Sequence, residues 1–343
     1  MPTPIIVFEV SSGGQAGSQS HDPPRAPTRL AGYYVPVPEG PGSHLSVARR
    51  PTDAARGPET GVDARPREPR PEIWFRRPIN IFSSLKELWG FRELVVTLAE
   101  RDLRVRYKQA VLGVAWAVLA PVVMMIAFTL LFNRFGKVNT QGAPYALFSY
   151  LGLLPWTFFS TSVSAGGLSL VGNNDLLNKL YCPREVFPIA GIVDAAFDAL
   201  IAACVLLVLF PLTGFAPKPE LYYLPLLLTV LLMFTLGVTL AVSAVTVYAR
   251  DLRLVLPLAI QVGLFVTPVV YGAGSISTSK AFLITYSAIN PLVPVIDGLR
   301  STVLNGAPPN WISLATGAAS SLVYLIGGFL LFKRLEIGMA DVA

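Results

Sequence analysis

The chain has 343 residues, of which 53% are hydrophobic and only 14% are charged, and its mean hydropathy is +0.56. Soluble domains carry about 25% charged residues, so this composition excludes a soluble globule. Residues 1–77 hold 18 charged side chains and both histidines, whereas residues 78–343 hold 30 charged side chains and no histidine. The longer part is predicted to be an integral membrane protein without a Ser-His-Asp triad or a His-rich zinc site.

Further motifs exclude other kinds of site. The sequence contains no G-x-x-x-x-G-K-[ST] segment, so it cannot hold a nucleotide phosphate in that way. Cys182 and Cys204 are predicted to be unpaired thiols. The pI near 9.4 reflects membrane topology and does not indicate nucleic-acid binding. We predict no catalytic residue, no metal site and no cofactor in this chain.

Residues 1–75 are predicted to form a disordered, Pro/Gly/Arg-rich cytoplasmic tail. Residues 1–72 contain 13 of the 29 prolines and 8 of the 28 glycines, and they lack apolar periodicity beyond Ile5–Phe8. Such a composition cannot bury enough apolar surface to offset the chain entropy. The tail also lacks the basic and apolar regions of a signal peptide. An arm that contacts anionic lipid or a partner is the alternative.

Residues 80–109 are predicted to form an amphipathic helix on the membrane surface, bent at Gly90. Ser84 and Glu87 match a capping box, and apolar residues recur at helical spacing between charges. The end of this helix is basic, with Arg101, Arg104, Arg106 and Lys108. These side chains are interpreted either as an anchor to anionic lipid or as a landing site for a phosphate-bearing substrate.

Residues 110–343 are predicted to form an all-α membrane domain with six transmembrane helices, because a span needs about 20 apolar residues. The predicted spans are Ala110–Phe132, Tyr145–Val171, Val186–Phe210, Tyr223–Tyr248, Leu254–Gly274 and Ser313–Phe332. Twelve Lys and Arg residues lie on the side of the N-terminus, whereas five, including Arg300, lie in the opposite loops. The positive-inside rule therefore places both termini in the cytoplasm.

Between spans five and six, the segment Gly274–Pro309 is predicted to form short re-entrant helices in the outer leaflet. Its uncharged run Ala281–Ile296 is too short to cross the membrane alone and contains Pro291 and Pro294. Such backbone is tolerated at membrane depth only where protein or water covers it. The segment is therefore expected to surround a pathway exit.

The third span contains Asp194 and Asp198, which are four residues apart and so share one helix face. Its apolar side chains favour insertion by roughly 4 to 8 kcal/mol, whereas two central carboxylates cost about 5 to 7 kcal/mol. The two carboxylates are therefore expected to face other spans or a water-filled cavity. A structural or pathway-lining role is favoured over a proton relay.

Two further segments stand out. Aromatic residues crowd the start of the second span, where they indicate either an interfacial belt or an exit that stacks on sugars; they include Tyr145, Tyr150, Trp156, Phe158 and Phe159. The loop Asn173–Pro188 contains a short amphipathic helix that could dock another protein. Its candidate docking residues are Asp175, Leu176, Leu177, Lys179, Leu180 and Arg184.

Several motifs together resemble type-2 ABC exporter permeases, in particular those that export O-antigen, teichoic acid or related polysaccharides. They are Arg101–Pro121, Leu154–Phe159, the loop up to Arg184, Tyr248–Asp251, Thr267–Tyr271, Asn290–Pro291 and Glu336–Asp341. The resemblance covers residues 80–343 in order.

The resemblance implies a homodimer in the bacterial inner membrane that pairs with two ATPase subunits, with ATP and Mg bound by the partner. The loop helix would couple to that ATPase, and the basic helix end would meet the headgroup of a lipid-linked polysaccharide. Tyr271, the aromatic residues and the two aspartates would line the channel or its exit. An ion-coupled secondary transporter and a membrane-embedded lipid-linked sugar transferase are the alternatives.

Overall fold

The computed structural model describes residues 81–108, 113–135, 140, 142–173, 176, 182–216, 218–272, 274, 279–336 and 338–339. The regular structure within these ranges is helical throughout. The helices are α1 Ile81–Gly90, α2 Arg92–Lys108, α3 Ala115–Phe135, α4 Tyr145–Gly172, α5 Val186–Thr213, α6 Leu224–Tyr248, α7 Leu252–Val266, α8 Lys280–Ile289, α9 Leu292–Arg300 and α10 Trp311–Glu336. The predicted tail, residues 1–75, lies outside the described residues.

The predicted surface helix is divided into α1 and α2. The break falls at Gly90 and Phe91, the position at which the sequence predicts a bend. Helix α1 begins at Ile81, so Ser84 lies inside it and the predicted capping box at Ser84 is wrong. Helix α2 buries Val95, Leu98 and Ala99 and packs against α5.

Five of the predicted spans are confirmed as long apolar helices within the described residues. They correspond to Ala115–Phe132 of α3, α4, α5, the segment Pro219–Tyr248 that ends in α6, and α10. The boundaries shift by a few residues from the sequence prediction, as expected for helix ends set by capping and packing.

The predicted span Leu254–Gly274 is too long by eight residues at its end. Helix α7 stops at Val266 after 15 residues, and Thr267 is extended, with φ −83° and ψ 138°. The cause is Pro268, because a proline disfavours the α conformation in the residue before it. Fifteen residues rise about 22 Å, less than the roughly 30 Å hydrocarbon core.

The chain bends by 117° between α8 and the segment Leu292–Asn305, which consists of α9 and a following π-helical turn. The bend falls at Asn290 and Pro291, whereas Pro294 lies in the first turn of α9, where a missing backbone donor costs little. The two helices together are apolar enough to count as a sixth crossing if they form one broken span.

The bundle is held by the packing of α6 on α10 and of α4 on both α5 and α6. Gly237 of α6 and Gly328 of α10 face each other so closely that a Cβ on either would meet the partner's backbone. Small residues at this crossing let the two backbones approach. Helix α4 lies in the core, and two polar contact networks lie against it, one near its middle and one near its start.

Candidate functional site

The first network joins α2 to α5 through Arg106. Its Nη1 donates to Oδ2 of Asp198 at 2.6 Å, and its Nη2 donates to Oδ2 of Asp194. The hydroxyl of Tyr107 donates to the other Asp198 oxygen, Oδ1. We call Arg106, Tyr107, Asp194 and Asp198 the Arg106 cluster. The four-residue spacing of the aspartates places both on the face of α5 that meets α2.

The electrostatics of the Arg106 cluster follow from burial. Asp194 is 1% exposed, and an unpaired carboxylate there would be strongly destabilising, so its ion pair with Arg106 is required. Burial and the hydrogen bond to Asp198 raise the pKa of Tyr107 to about 12, so the phenol remains a donor at neutral pH. Oδ1 of Asp194 is buried without a hydrogen-bond partner among the described residues.

A cavity of about 330 Å³ opens beside the cluster, between α2, α3, α4 and α5. Arg106, Tyr107 and Asp198 form its polar end. The remaining lining is apolar or carries hydroxyl groups: Trp116, Ala117, Ala120, Pro121, Thr157, Phe158, Thr161, Ala195, Ala199 and Ala202. Among the described residues, no group of three His, Cys, Asp or Glu side chains could hold a metal ion.

The four predicted headgroup residues do not form one free cationic patch. Arg101 donates to Asp102 and, at 2.7 Å, to Oδ1 of Asn173. Arg104 pairs with Glu100 on the same helix at 2.5 Å, and both side chains are exposed. Arg106 is held by the aspartates of α5, and Lys108 is exposed. Each of the three arginines therefore faces a carboxylate of the chain itself.

The predicted docking loop is described only at its edges. Asp175, Leu177, Lys179 and Leu180 lie outside the described residues. Leu176 is half-buried and packs against the apolar core around Phe187. Arg184 donates to the carbonyl of Glu336 at 3.2 Å, at the end of α10, so in this conformation it ties the loop to the last helix.

The end of α10 is also fixed by an ion pair. Lys333 contacts Glu185, which is buried at the start of α5, and contacts Glu336 at 2.9 Å. One oxygen of Glu185, Oε2, is buried without a hydrogen-bond partner among the described residues. No local pattern indicates the pair of Lys333 and Glu185, because the two residues lie about 150 residues apart.

The aromatic residues at the start of α4 are mostly packing residues. Tyr150 has no exposed surface and donates to the carbonyl of Ala202 at 2.6 Å. Trp156 is buried against Gly263, and Phe159 stacks on Phe234 with ring centroids 5.2 Å apart. Tyr145, Tyr150 and Trp156 are buried between helices of the single chain, and the role of these aromatic residues at an exit stays a prediction. Of the aromatic residues predicted on α4, Phe158 is the one that borders the described cavity.

The second network surrounds Arg300 near the start of α4. Arg300 is 4% exposed, and its guanidinium donates to the carbonyls of Phe148, Pro268, Val269 and Tyr271. It also lies 3.8 Å from the ring centroid of Phe148, a cation–π contact. We call this arrangement the Arg300 carbonyl site. The assignment of Arg300 to an outer loop is therefore wrong.

The carbonyl site satisfies the unwound backbone that follows α7. Those carbonyls have no helical partners, and buried backbone acceptors must be paired. Tyr145 contributes by donating to the carbonyl of Val270 at 2.8 Å, and the hydroxyl of Tyr271 donates to that of Phe265 at 2.7 Å. The sequence feature that indicates the interior position of Arg300 is its charge within an apolar stretch, since charged residues in such stretches face the protein interior.

Similarity to known proteins provides evidence that is independent of the structure. Residues 93–304 match the model of a protein family described as "ABC-2 type transporter". An O-antigen export system permease protein RfbA from Myxococcus xanthus is 30% identical over 257 residues, covering 75% of this chain and 98% of the relative. A protein of the same name from Klebsiella pneumoniae is 26% identical over 251 residues, 73% and 95% of the two chains. The polysialic acid transport protein KpsM from Escherichia coli is 27% identical over 261 residues, 73% and 97%.

Proposed function

Since the chain belongs to the ABC-2 type transporter family, we propose that it is the permease subunit of an ATP-driven exporter of a cell-envelope polysaccharide. The observation that carries this proposal is the match over nearly the whole length of permeases named for O-antigen export and of a polysialic acid transport protein. The five long apolar helices of the described residues agree with a membrane conduit.

The proposed cargo is a lipid-linked polysaccharide, O-antigen-like or teichoic-acid-like, that is carried outward from the cytoplasmic side of the inner membrane. Both termini are proposed to be cytoplasmic, because twelve Lys and Arg residues lie on their side of the predicted spans. Helices α1 and α2 would lie along that face, and α8 and α9 would form a re-entrant pair at the exit. Their 117° bend supports the second assignment.

The energy is proposed to come from two copies of a separate ATPase subunit that bind ATP and Mg, since the sequence lacks the phosphate-binding motif. A homodimer of this chain would complete the conduit. Helix α7 supports that assembly because it presents large exposed apolar side chains, among them Leu254, Leu258 and Phe265. Exposed apolar surface of this kind needs lipid or a partner.

The loop Asn173–Pro188 is proposed to contact the ATPase. Arg101 supports this role, because its hydrogen bond to Asn173 links the start of the loop to α2. Arg104 and Lys108 are proposed to meet the anionic lipid headgroup, since both side chains are exposed. Arg106 is already engaged by Asp194 and Asp198, and this pairing argues against those carboxylates as the proton site of an ion-coupled transporter.

The test combines depletion with reconstitution. Cells depleted of the protein should accumulate lipid-linked glycan on the cytoplasmic side, and proteoliposomes with the permease and its ATPase should move that glycan only with hydrolysable ATP. Arg101→Met should reduce ATP-coupled transport, whereas Arg92→Met, on the exposed face of the same helix, is the matched control. Transport driven by an ion gradient without the ATPase would contradict the proposal.

A further inference from the structure

We propose that the cavity beside the Arg106 cluster is a subsite for one uncharged sugar unit of the glycan, and that it does not bind the diphosphate of the lipid carrier. This inference rests on the proposed function and names the part of the cargo that this cavity contacts. It departs from the expectation that Arg106 binds an anionic headgroup. The observations that carry it are the charge, the lining and the size of the cavity.

The charge of the cavity disfavours an anion. Of the described residues that line it, Arg106 alone is basic. Two nitrogens of its guanidinium already donate to Asp194 and Asp198. Within the cluster, two carboxylates therefore face one guanidinium, and a phosphate placed there would meet an uncompensated negative charge. A phosphate would also have to compete with the ion pair between the 39% exposed Arg106 and Asp194, and breaking that pair strands the buried carboxylate of Asp194.

The lining suits a neutral polyol. A sugar ring presents hydroxyl groups at its rim and apolar C–H groups on its faces. The carboxylate of Asp198 and the hydroxyls of Thr157 and Thr161 offer hydrogen-bonding groups for the rim. The hydroxyl of Thr157 donates to the carbonyl of Leu154 at 2.9 Å, which leaves its oxygen to accept from a ligand.

Apolar and aromatic side chains of the cavity suit the C–H faces of a sugar ring. Trp116 and Phe158 line the cavity together with several alanines, and their rings can contact the C–H face of a sugar. Trp116 is half exposed, so a ligand can cover its free surface without displacing other side chains. A few placed polar groups within a mostly apolar wall are the usual composition of a small-molecule site.

The volume limits the occupant to something small. The cavity measures about 330 Å³, whereas small-molecule sites span roughly 300–1,000 Å³. This is near the lower end of ligand sites, and it matches one ring with its bound waters better than a long lipid tail. The polar end further disfavours a hydrocarbon occupant, because a hydrocarbon would exclude water from the remaining acceptor positions of Asp198 and from the threonine hydroxyls.

The experiment uses the permease–ATPase complex in nanodiscs free of sugar detergents. Tryptophan fluorescence is titrated with methyl α-glycosides of glucose, galactose, mannose and rhamnose, and saturation-transfer NMR of the same probes gives a second measure of binding. We expect saturable binding near the millimolar range. Thr161→Val should weaken it roughly 5-fold, the loss of one hydrogen bond. Trp116→Phe should remove the fluorescence change, and Trp311→Phe, at a position that does not line the cavity, should retain it.

Two results would overturn the inference. One is the absence of any glycoside response in the wild-type complex by either measurement. The other is saturable displacement of the Trp116 response by inorganic diphosphate or farnesyl diphosphate, abolished by Arg106→Gln, which would restore the anion site. If the wild-type complex exports glycan with ATP, either of these results rejects the sugar subsite and leaves the proposed function standing. If the wild-type complex exports no glycan with ATP, the proposed function itself is rejected. Thermal unfolding of Thr161→Val checks that this variant folds.

Discussion

Replacing Arg300 should destabilise the protein more than any exposed arginine does. Its guanidinium donates to four carbonyls and is 4% exposed. Hydrogen bonds to a charged group contribute about 1.5–3 kcal/mol each, but the unwound backbone can relax and recover part of this. Removing one partner of a buried charged contact typically costs about 3–5 kcal/mol. We therefore expect Arg300→Gln to lose about 4 kcal/mol.

The measurement is thermal unfolding of the purified protein in nanodiscs. At roughly 2–4 °C per kcal/mol, the range for domains of 150–250 residues, a loss of about 4 kcal/mol should lower the melting temperature of Arg300→Gln by about 10 °C. Arg300→Lys should fall between the two, because an ammonium has three donors and lacks the planar fork. Gly152→Ala should mimic part of the effect, since its Cβ would press on the guanidinium and on the carbonyl of Val269. Arg250→Gln, at an exposed position, is the control.

The reasoning would be refuted if Arg300→Gln melted within about 1 °C of wild type, a shift below that expected for 1 kcal/mol. That result would mean that water or neighbouring side chains satisfy the four carbonyls equally well. A loss of stability of the same size in Arg250→Gln would also contradict it, because burial would then not be the cause.

Three further changes test the packing and the ion pairs. Gly237→Ala should lower stability by about 1–3 kcal/mol through overpacking. The control Gly327→Ala should be neutral or stabilising, because a Cβ there meets no atom within 4 Å. Equal melting temperatures of the two variants would contradict the close helix contact. Arg106→Gln should cost about 1–3 kcal/mol by leaving the buried carboxylate of Asp194 unpaired, less than for a fully buried pair because Arg106 is 39% exposed. The double variant with Asp194→Asn should recover part of this loss, and additive losses in the cycle would count against the ion pair. Lys333→Met should lower the melting temperature, because it leaves the buried carboxylate of Glu185 without its cation. A higher melting temperature would show that the ion pair is not stabilising.

The long apolar helices could be predicted because their signal is local. A run of about 20 apolar residues identifies a span whatever it packs against, and α4 begins at Tyr145 as predicted. Helix α7 shows the limit of this reasoning. Hydropathy continues to Gly274, but the backbone stops being helical at Thr267, since Pro268 follows it. Composition alone therefore overestimated the span.

The contacts of the candidate site could not be predicted, because they join distant parts of the chain. Spacing places Asp194 and Asp198 on one face of α5, yet nothing local indicates that Arg106, 88 residues before Asp194, fills that face. The same holds for Arg300, which bonds to Phe148 across 152 residues. A charge in an apolar stretch signals an interior partner, but only the tertiary packing identifies it.

The glycine crossing of α6 and α10 has a consequence for how a passage could widen. With the backbones in contact at Gly237 and Gly328, no side chain fits between these helices at the crossing, so we expect them to shift together. Helix α7 contacts the other described helices sparsely and ends in backbone held by Arg300. Dilation is therefore expected along α7, with α6 and α10 as the fixed wall, and a cysteine crosslink between those two helices should leave transport unchanged.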